Sequence, residues 1–350
     1  MATPEDVEER DDGAEADGES TTEPALDSSP AETDDASPAE TDSTRDSSAS
    51  DVGPDSSTAD ADGGDTGTET TGTDRYTRKK CVLITGCSSG IGRAAAEAFL
   101  DAEWTVVATA RNTDDIAALA EAGCVTRELD VTKPEQVARA VERTVEVGGA
   151  IDCLVNNAGY AQMGPLEDVS IADLHRQFDV NVYGPHRLAR AALPHMRAQG
   201  SGRIINVSSV LGRLTLPTTG AYSGSKFALE AMSDALRAEV EEFGIDVVLI
   251  EPGTVETAFA DRASAELPHE RTADYEALYE IYDDAQLIGR SEGPFTVSPA
   301  AVARAILEAA TAVEPPARYP VGPMAEYGLF ARFLPDGVRD GLYRLVKKFV

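Results

Sequence analysis

Long apolar runs are missing from this 350-residue chain. No stretch of about 18 consecutive apolar residues occurs, so the sequence offers no helix that would cross a bilayer. Basic charge is scarce as well: 30 Lys+Arg stand against 62 Asp+Glu, for a net charge of -32. A nucleic-acid binder is excluded, because a phosphate backbone needs a basic face. The N-terminus, MATPEDVEERDDG, has neither the basic start nor the apolar run of a secretory signal, and the expected location is cytoplasmic. The four cysteines, Cys81, Cys87, Cys124 and Cys153, form no C-x-x-C pair and read as small buried hydrophobes. His175, His186, His195 and His269 are scattered without a ligand motif, so no metal site is predicted.

The acidic charge is concentrated at one end. Residues 1–74 hold 24 Asp+Glu and two basic residues, Arg10 and Arg45, with almost no large apolar side chain. Such a segment cannot bury enough surface to offset chain entropy. A disordered, solvating acidic tail is expected over 1–76, and one folded domain over 77–350.

From Lys80 the pattern changes. Apolar runs at 81–85, 104–110, 151–157, 203–209 and 245–252, with a further strand at 124–129, alternate with helical stretches, including a long one over 171–198, bent near Pro185 and Pro194, and another over 221–243. Continuous apolar strands with helices between them predict an α/β fold: a doubly wound, Rossmann-type parallel sheet covered on both faces. A further helix is expected over 299–310 and a strand over 318–321.

The first strand ends in a glycine turn, Thr85-Gly86-Cys87-Ser88-Ser89-Gly90-Ile91-Gly92, before a helix. Such a turn lets backbone approach a pyrophosphate, and the helix N-terminus supplies free N–H groups. The second strand ends Ala110-Arg111-Asn112, with no acid to bind both ribose hydroxyls of NAD. Arg111 suits the 2′-phosphate of NADP through charge-assisted hydrogen bonds, and Ser88 can add a hydroxyl. Tyr222 and Lys226 stand four apart and share a helix face. A tyrosine near a lysine ammonium is a plausible proton donor or acceptor for hydride chemistry, with the lysine expected to bring the phenol pKa down. A serine hydroxyl at a strand end can hydrogen-bond a substrate oxygen. Ser209, 13 residues before Tyr222, is favoured over its neighbour Ser208.

TGCSSGIG (85–92), LDVT (129–132), NNAG (156–159), Asn181 in FDVNVYG, Ser209 in NVSS, YSGSK (222–226) and PGTVET (252–257) occur in order. In this the chain resembles the short-chain dehydrogenase/reductase family, strongly over about 79–260. The resemblance implies a cofactor site of Gly86, Ser88, Ser89, Gly90, Ile91, Gly92, Asp130, Val131, Asn157, Ala158, Gly159, Pro252, Gly253, Val255 and Thr257. Asp130 and Val131 would border the adenine, and Thr257 with the Val255 backbone would hold the carboxamide. It implies Tyr222 as general acid/base, Lys226 as its tuner and a ribose contact, and Ser209 as the group that polarises the carbonyl. Asn181 would hold a relay water. Pairing of the long helices between subunits would give a homodimer or homotetramer.

Residues 254–293 read as an irregular substrate lid, with Tyr275, Tyr279 and Tyr282 packing it onto the body. The tail after Pro323 is apolar and ends RLVKKFV, suited to packing on the body or to peripheral contact with a membrane surface. The lid and the motifs look most like the branch with 17β-hydroxysteroid, retinol and acyl-dihydroxyacetone reductases. The expected activity is NADP(H)-dependent interconversion of a secondary alcohol and a ketone on a bulky apolar small molecule. The alternative is a non-catalytic NADP-sensing protein on the same fold. Deleting residues 1–74 should leave turnover and cofactor affinity nearly unchanged at matched salt; a large drop in either would show that the acidic segment is part of the working domain.

Overall fold

The computed structural model describes residues 78–257, 259–289 and 296–349; the acidic segment expected to be disordered lies outside them. Strands β1 (Cys81–Ile84), β2 (Thr105–Ala110), β3 (Val125–Glu128), β4 (Cys153–Asn156), β5 (Gly202–Val207) and β6 (Ile245–Pro252) follow the predicted apolar runs within a residue or two. A two-residue pair, β7 (Thr254–Val255) and β8 (Thr296–Val297), precedes the last strand, β9 (Arg318–Val321). The helices are α1 (Gly90–Asp101), α2 (Ala117–Glu121), α3 (Pro134–Gly148), α4 (Ile171–Phe178), α5 (Gly184–Gln199) and α6 (Gly220–Val240). Then come α7 (Phe259–Ala265), α8 (Glu276–Gly289), α9 (Pro299–Thr311), α10 (Pro323–Gly328) and α11 (Asp336–Phe349).

The main sheet has seven strands in the order β3-β2-β1-β4-β5-β6-β9, every pair parallel. Parallel strands covered on both faces must be apolar at every position. CVLI of β1 and CLVN of β4 are buried throughout for that reason. The two-residue side-chain period sorts them between two cores. Val82 and Ile84 face Phe99 of α1 and Ile306 of α9. Cys81 and Leu83 face Val137 and Val141 of α3 and Leu188 and Met196 of α5. All four cysteines are free and buried, as their apolar surroundings suggest, and burial pushes the Cys81 and Cys87 thiols up to about 12.

Strand order reverses between β1 and β4, which opens a crevice at their C-terminal ends. Two sequence expectations need correction around it. The long helix over 171–198 is not bent at its prolines. It is broken by a π-helical turn at Asp179–Tyr183, while Pro185 sits in the first turn of α5. Pro185 follows the π turn directly, within one continuous helical run in which Tyr183 and Gly184 keep helical backbone, and it has no N–H to give to the turn before it. The wide turn instead lets the buried Asn181 amide leave the helix and bond the Tyr160 carbonyl. The segment 254–293 is not irregular either. It carries α7 and α8, and its base is clipped shut where Thr254 and Val255 pair with Thr296 and Val297. Glu256 N–H extends that clip to the Val297 carbonyl at 3.0 Å. No described helix is long and apolar enough to cross a membrane.

Candidate active site

The glycine turn is held against the end of β4 at backbone contact distance. A Cβ on Gly92 would lie 2.3 Å from the Gly86 carbonyl oxygen and 2.4 Å from Asn157 Nδ2. A Cβ on Gly86, whose φ is +73°, would lie 2.9 Å from Ala158 Cα. Only glycine fits such approaches. Hydrogen bonds lock the contact. Asn157 Nδ2 donates to the Thr85 and Gly86 carbonyls at 2.9 and 3.1 Å. The Asn157 and Ala158 N–H groups both donate to Thr85 Oγ1, at 3.0 and 2.9 Å. Thr85 thus ties the two turns together, although its motif position alone does not single it out.

Past the turn, Ser89 is the N-cap of α1, but its side chain caps no helix N–H. The first-turn amides stay open to a ligand, and Gly90 at φ +59° keeps its own surface free of a side chain apart from the Thr257 methyl. A cradle with small residues, open N–H groups and a helix dipole fits a pyrophosphate. Arg111 follows the last residue of β2 and is exposed, with no acidic residue beside it in the chain. Ser88 is half-buried, its carbonyl accepting from Arg93 at 3.1 Å. Asp130 is committed to a local turn, where its carboxylate accepts from Thr132 N–H and Oγ1 at 2.9 and 2.8 Å. Val131 is buried against Gly184. Pro252 and Gly253 end β6, and the Gly253 N–H donates to Val321. Val255 lies in the two-residue clip, while Thr257 Oγ1 accepts from Phe259 N–H at 3.2 Å and its methyl faces Gly90.

Beside Gly159 the structure gathers the four predicted reactive side chains. Asn181 Nδ2 donates to the Tyr160 carbonyl and to Ser225 Oγ, at 3.0 and 3.1 Å, and its Oδ1 accepts from Tyr160 N–H. Lys226 Nζ donates to the Val207 carbonyl at 2.8 Å and stands 5.9 Å from the centre of the Tyr222 ring. The Tyr222 phenol faces the Ser209 side chain, which acts to lower its pKa. Ser209 Oγ also accepts from Leu211 N–H at 3.1 Å. Ser208, the rival, is instead turned toward Gly212 and Glu230.

All four side chains are buried, and burial governs the ionisation of Tyr222 and Lys226. It pushes the Tyr222 phenol up to about 12, against a smaller lowering by Ser209. Burial brings Lys226 down to about 8, with Glu230 opposing. The expectation that Lys226 lowers the Tyr222 pKa is therefore not met in this arrangement. The ammonium faces the Val207 carbonyl, and desolvation of the phenol dominates. Near neutral pH the pair is a neutral phenol beside a mostly charged ammonium.

Two polar assemblies lie behind the site, and the first is built from the leading residues of the NNAG and NVSS motifs. Asn156 donates to Asn206 and Asn206 to Ser233, both at 2.8 Å, so a buried amide chain pins α6 to β4 and β5. Glu230 and Glu251, both buried, are held by two arginines: Arg213 is 2.8 Å from Glu251, and Arg318 is 3.1 and 3.2 Å from Glu230 and Glu251. Burial still raises the Glu230 pKa. In front of the site, Phe259 of the lid meets the Tyr222 ring at 5.8 Å between centroids. Ala161, Met163, Leu267, Tyr279 and Tyr282 complete an apolar cluster with Tyr222. Two of the lid tyrosines pack it on the body as expected, Tyr279 bonding Asp168 at 2.7 Å and Tyr275 bonding Glu167 at 2.6 Å.

A family model described as short chain dehydrogenase matches residues 80–268. The uncharacterized oxidoreductase YbbO of Escherichia coli (strain K12) is 36% identical over 264 residues, covering 75% of this chain and 93% of its own. An NADPH-dependent 3-dehydrocapnine reductase of Ornithobacterium rhinotracheale is 35% identical over 281 residues, covering 76% of this chain and 97% of its own. A crystal structure of a short-chain dehydrogenase from Streptomyces avermitilis superposes with a TM-score of 0.65 at 35% identity, covering 77% of this chain and 97% of that one. With the parallel sheet, the glycine turn and the Ser-Tyr-Lys grouping in hand, these likenesses show that the chain belongs to the short-chain dehydrogenase/reductase family of oxidoreductases.

Proposed function

We propose that the protein is an NADP(H)-dependent oxidoreductase that interconverts a secondary alcohol and a ketone on a bulky apolar substrate. The observation that carries this reading is the burial of Ser209, Tyr222 and Lys226 together beside the NNAG turn, at the strand ends where the glycine turn lies. When bound, the nicotinamide supplies or removes the hydride. The chain's own residues must then manage the charge that develops on the substrate oxygen.

Tyr222 is the proton donor in the ketone-reducing direction. With its pKa held up to about 12, the phenol keeps its proton at neutral pH and can give it to a developing alkoxide, a stronger base. Ser209, beside that phenol, offers a second hydroxyl to the same oxygen. Lys226 holds its ammonium on the Val207 carbonyl, 5.9 Å from the centre of the Tyr222 ring, a position from which it can contact the cofactor ribose and return a proton toward the phenol through the relay. Asn181 anchors the Tyr160 backbone and Ser225 next to the lysine, a position from which its amide can order a relay water. A lid of Phe259, Leu267, Tyr279 and Tyr282 keeps the reacting region dry, and it favours an apolar substrate.

NADP is the proposed cofactor form. The support is Arg111 exposed beyond β2 with no acid in the ribose position, and a relative named as NADPH-dependent. The location is proposed as cytoplasmic and the assembly as a homodimer or homotetramer through the long helices.

Replacing Tyr222 with Phe removes the donor and keeps the ring. NADPH consumption against a panel of apolar ketones should fall at least ~10²-fold, with NADPH binding retained. Undiminished turnover in the purified variant would take Tyr222 out of the mechanism. For the cofactor, wild type should prefer NADPH over NADH, and Arg111→Ala should erase about ten- to a hundredfold of that preference, the worth of a charge-assisted hydrogen bond. The loss should fall on NADPH affinity with NADH kinetics little changed. An equal loss for both cofactors, or a wild type that prefers NADH, would contradict the assignment.

A further inference from the structure

Arg262 lies on α7, in the lid, yet its guanidinium reaches across to the glycine turn and donates to Ser89 Oγ at 3.0 Å. The two residues are 173 positions apart in the chain. The contact is electrostatically odd by itself. Ser89 is the N-cap of a 12-residue helix, where the backbone dipoles present their positive end and the side chain caps no amide. A cation there is disfavoured unless an anion lies between it and the helix.

The lid as a whole has the wrong charge for closing over phosphates. Residues 254–293 contain ten acidic side chains and three basic ones, Arg262, Arg271 and Arg290. Of the two that are described, Arg271 is stacked over the Tyr279 ring at 4.4 Å and belongs to the lid's own packing. Arg262 is the one that faces the turn. On the turn's other side, Arg93 is already spent on the Ser88 and Asp115 carbonyls, at 3.1 and 2.7 Å. Thr257, five residues before Arg262, packs its methyl onto Gly90 and sets the start of the lid against the first turn of α1.

We infer that Arg262 is a cofactor-binding residue that fastens the lid over the dinucleotide pyrophosphate, exchanging the Ser89 hydroxyl for phosphate oxygens. This rests on the dinucleotide reading above and adds to it a lid residue outside the motif-derived site. A guanidinium can span two oxygens of a pyrophosphate in a forked pair, and the α1 amides would bind the same group from below. The arrangement makes closure of an acidic lid depend on the cofactor being in place.

The pyrophosphate is common to both cofactor forms, which separates this residue from Arg111. In equilibrium titrations followed by dinucleotide fluorescence, Arg262→Ala should weaken NADPH and NADH by the same factor, roughly ten- to a hundredfold. Binding of adenosine 2′-monophosphate, which has no pyrophosphate, should not change. Arg262→Lys, which keeps the charge but not the fork, should recover part of the affinity. Because Arg262 is exposed, the cofactor-free melting temperature of Arg262→Ala should match wild type. Unchanged dinucleotide affinity in the alanine variant, a loss confined to NADPH, or an equal loss for adenosine 2′-monophosphate would each overturn the assignment. A wild type that binds neither dinucleotide would overturn the dinucleotide reading itself.

Discussion

The structure turns on one close approach, in which the Gly86–Gly92 turn and the Asn157–Ala158 turn touch at backbone distance. It sits where the strand order reverses, so it forms the floor of the crevice between β1 and β4. Asn157 and Thr85 fix it with four hydrogen bonds of 2.9–3.1 Å. Two residues on, Gly159 passes Asn181 so closely that a Cβ would stand 3.1 Å from its Oδ1 and 3.8 Å from Lys226 Nζ. The cradle for phosphates and the helix bearing Tyr222 and Lys226 are therefore referenced to the same short segment, 156–159. A side chain added at any of these glycines would move one half of the site relative to the other.

Burial is the second organising force. Tyr222 and Lys226 have their ionisation set chiefly by desolvation, and each shift disfavours the charged form. Beneath them, Glu230 and Glu251 are buried together, which is tolerable only because Arg213 and Arg318 meet them. Removing one partner from such a cluster leaves an uncompensated buried charge, whereas the assembled network adds little net stability. Its use here is geometric. Arg213 follows the Ser209 turn, Glu230 lies one helical turn beyond Lys226, and Arg318 belongs to the last strand. With Glu251 on β6, the network ties four elements that must stay in register for the proposed proton transfer.

Much of this is legible in the sequence because it is local. Five strands announce themselves as apolar runs, since the inside of a parallel sheet needs both faces dry, while the edge strand β3, VTRE, is half exposed. The glycine turn and the Tyr222–Lys226 pair have fixed spacings set by helix and turn geometry, and Ser209 is named by its distance from Tyr222. What escapes depends on contacts between distant segments. The Asn156–Asn206–Ser233 chain joins residues 50 and 27 positions apart. The π turn at Asn181 stands just before Pro185, but its bond to the Tyr160 carbonyl on another loop is beyond what the proline signals. The lid's helices carry many acids and weak apolar periodicity, and their order comes from packing on Met163, Asp168 and Tyr222. The fall of the Tyr222 pKa expected from Lys226 fails because a sequence shows neither how dry the phenol is nor that the ammonium turns to Val207.

In the proposed function, hydride passes between a nicotinamide and a substrate carbon next to Tyr222. Isotope transfer tests it most directly: an apolar ketone reduced by the wild-type protein with NADPH deuterated at the transferable C4 position, and the alcohol examined by mass spectrometry. The alcohol should carry one deuterium, on the carbinol carbon, and a hydroxyl proton drawn from solvent. An alcohol formed without deuterium at that carbon would contradict it.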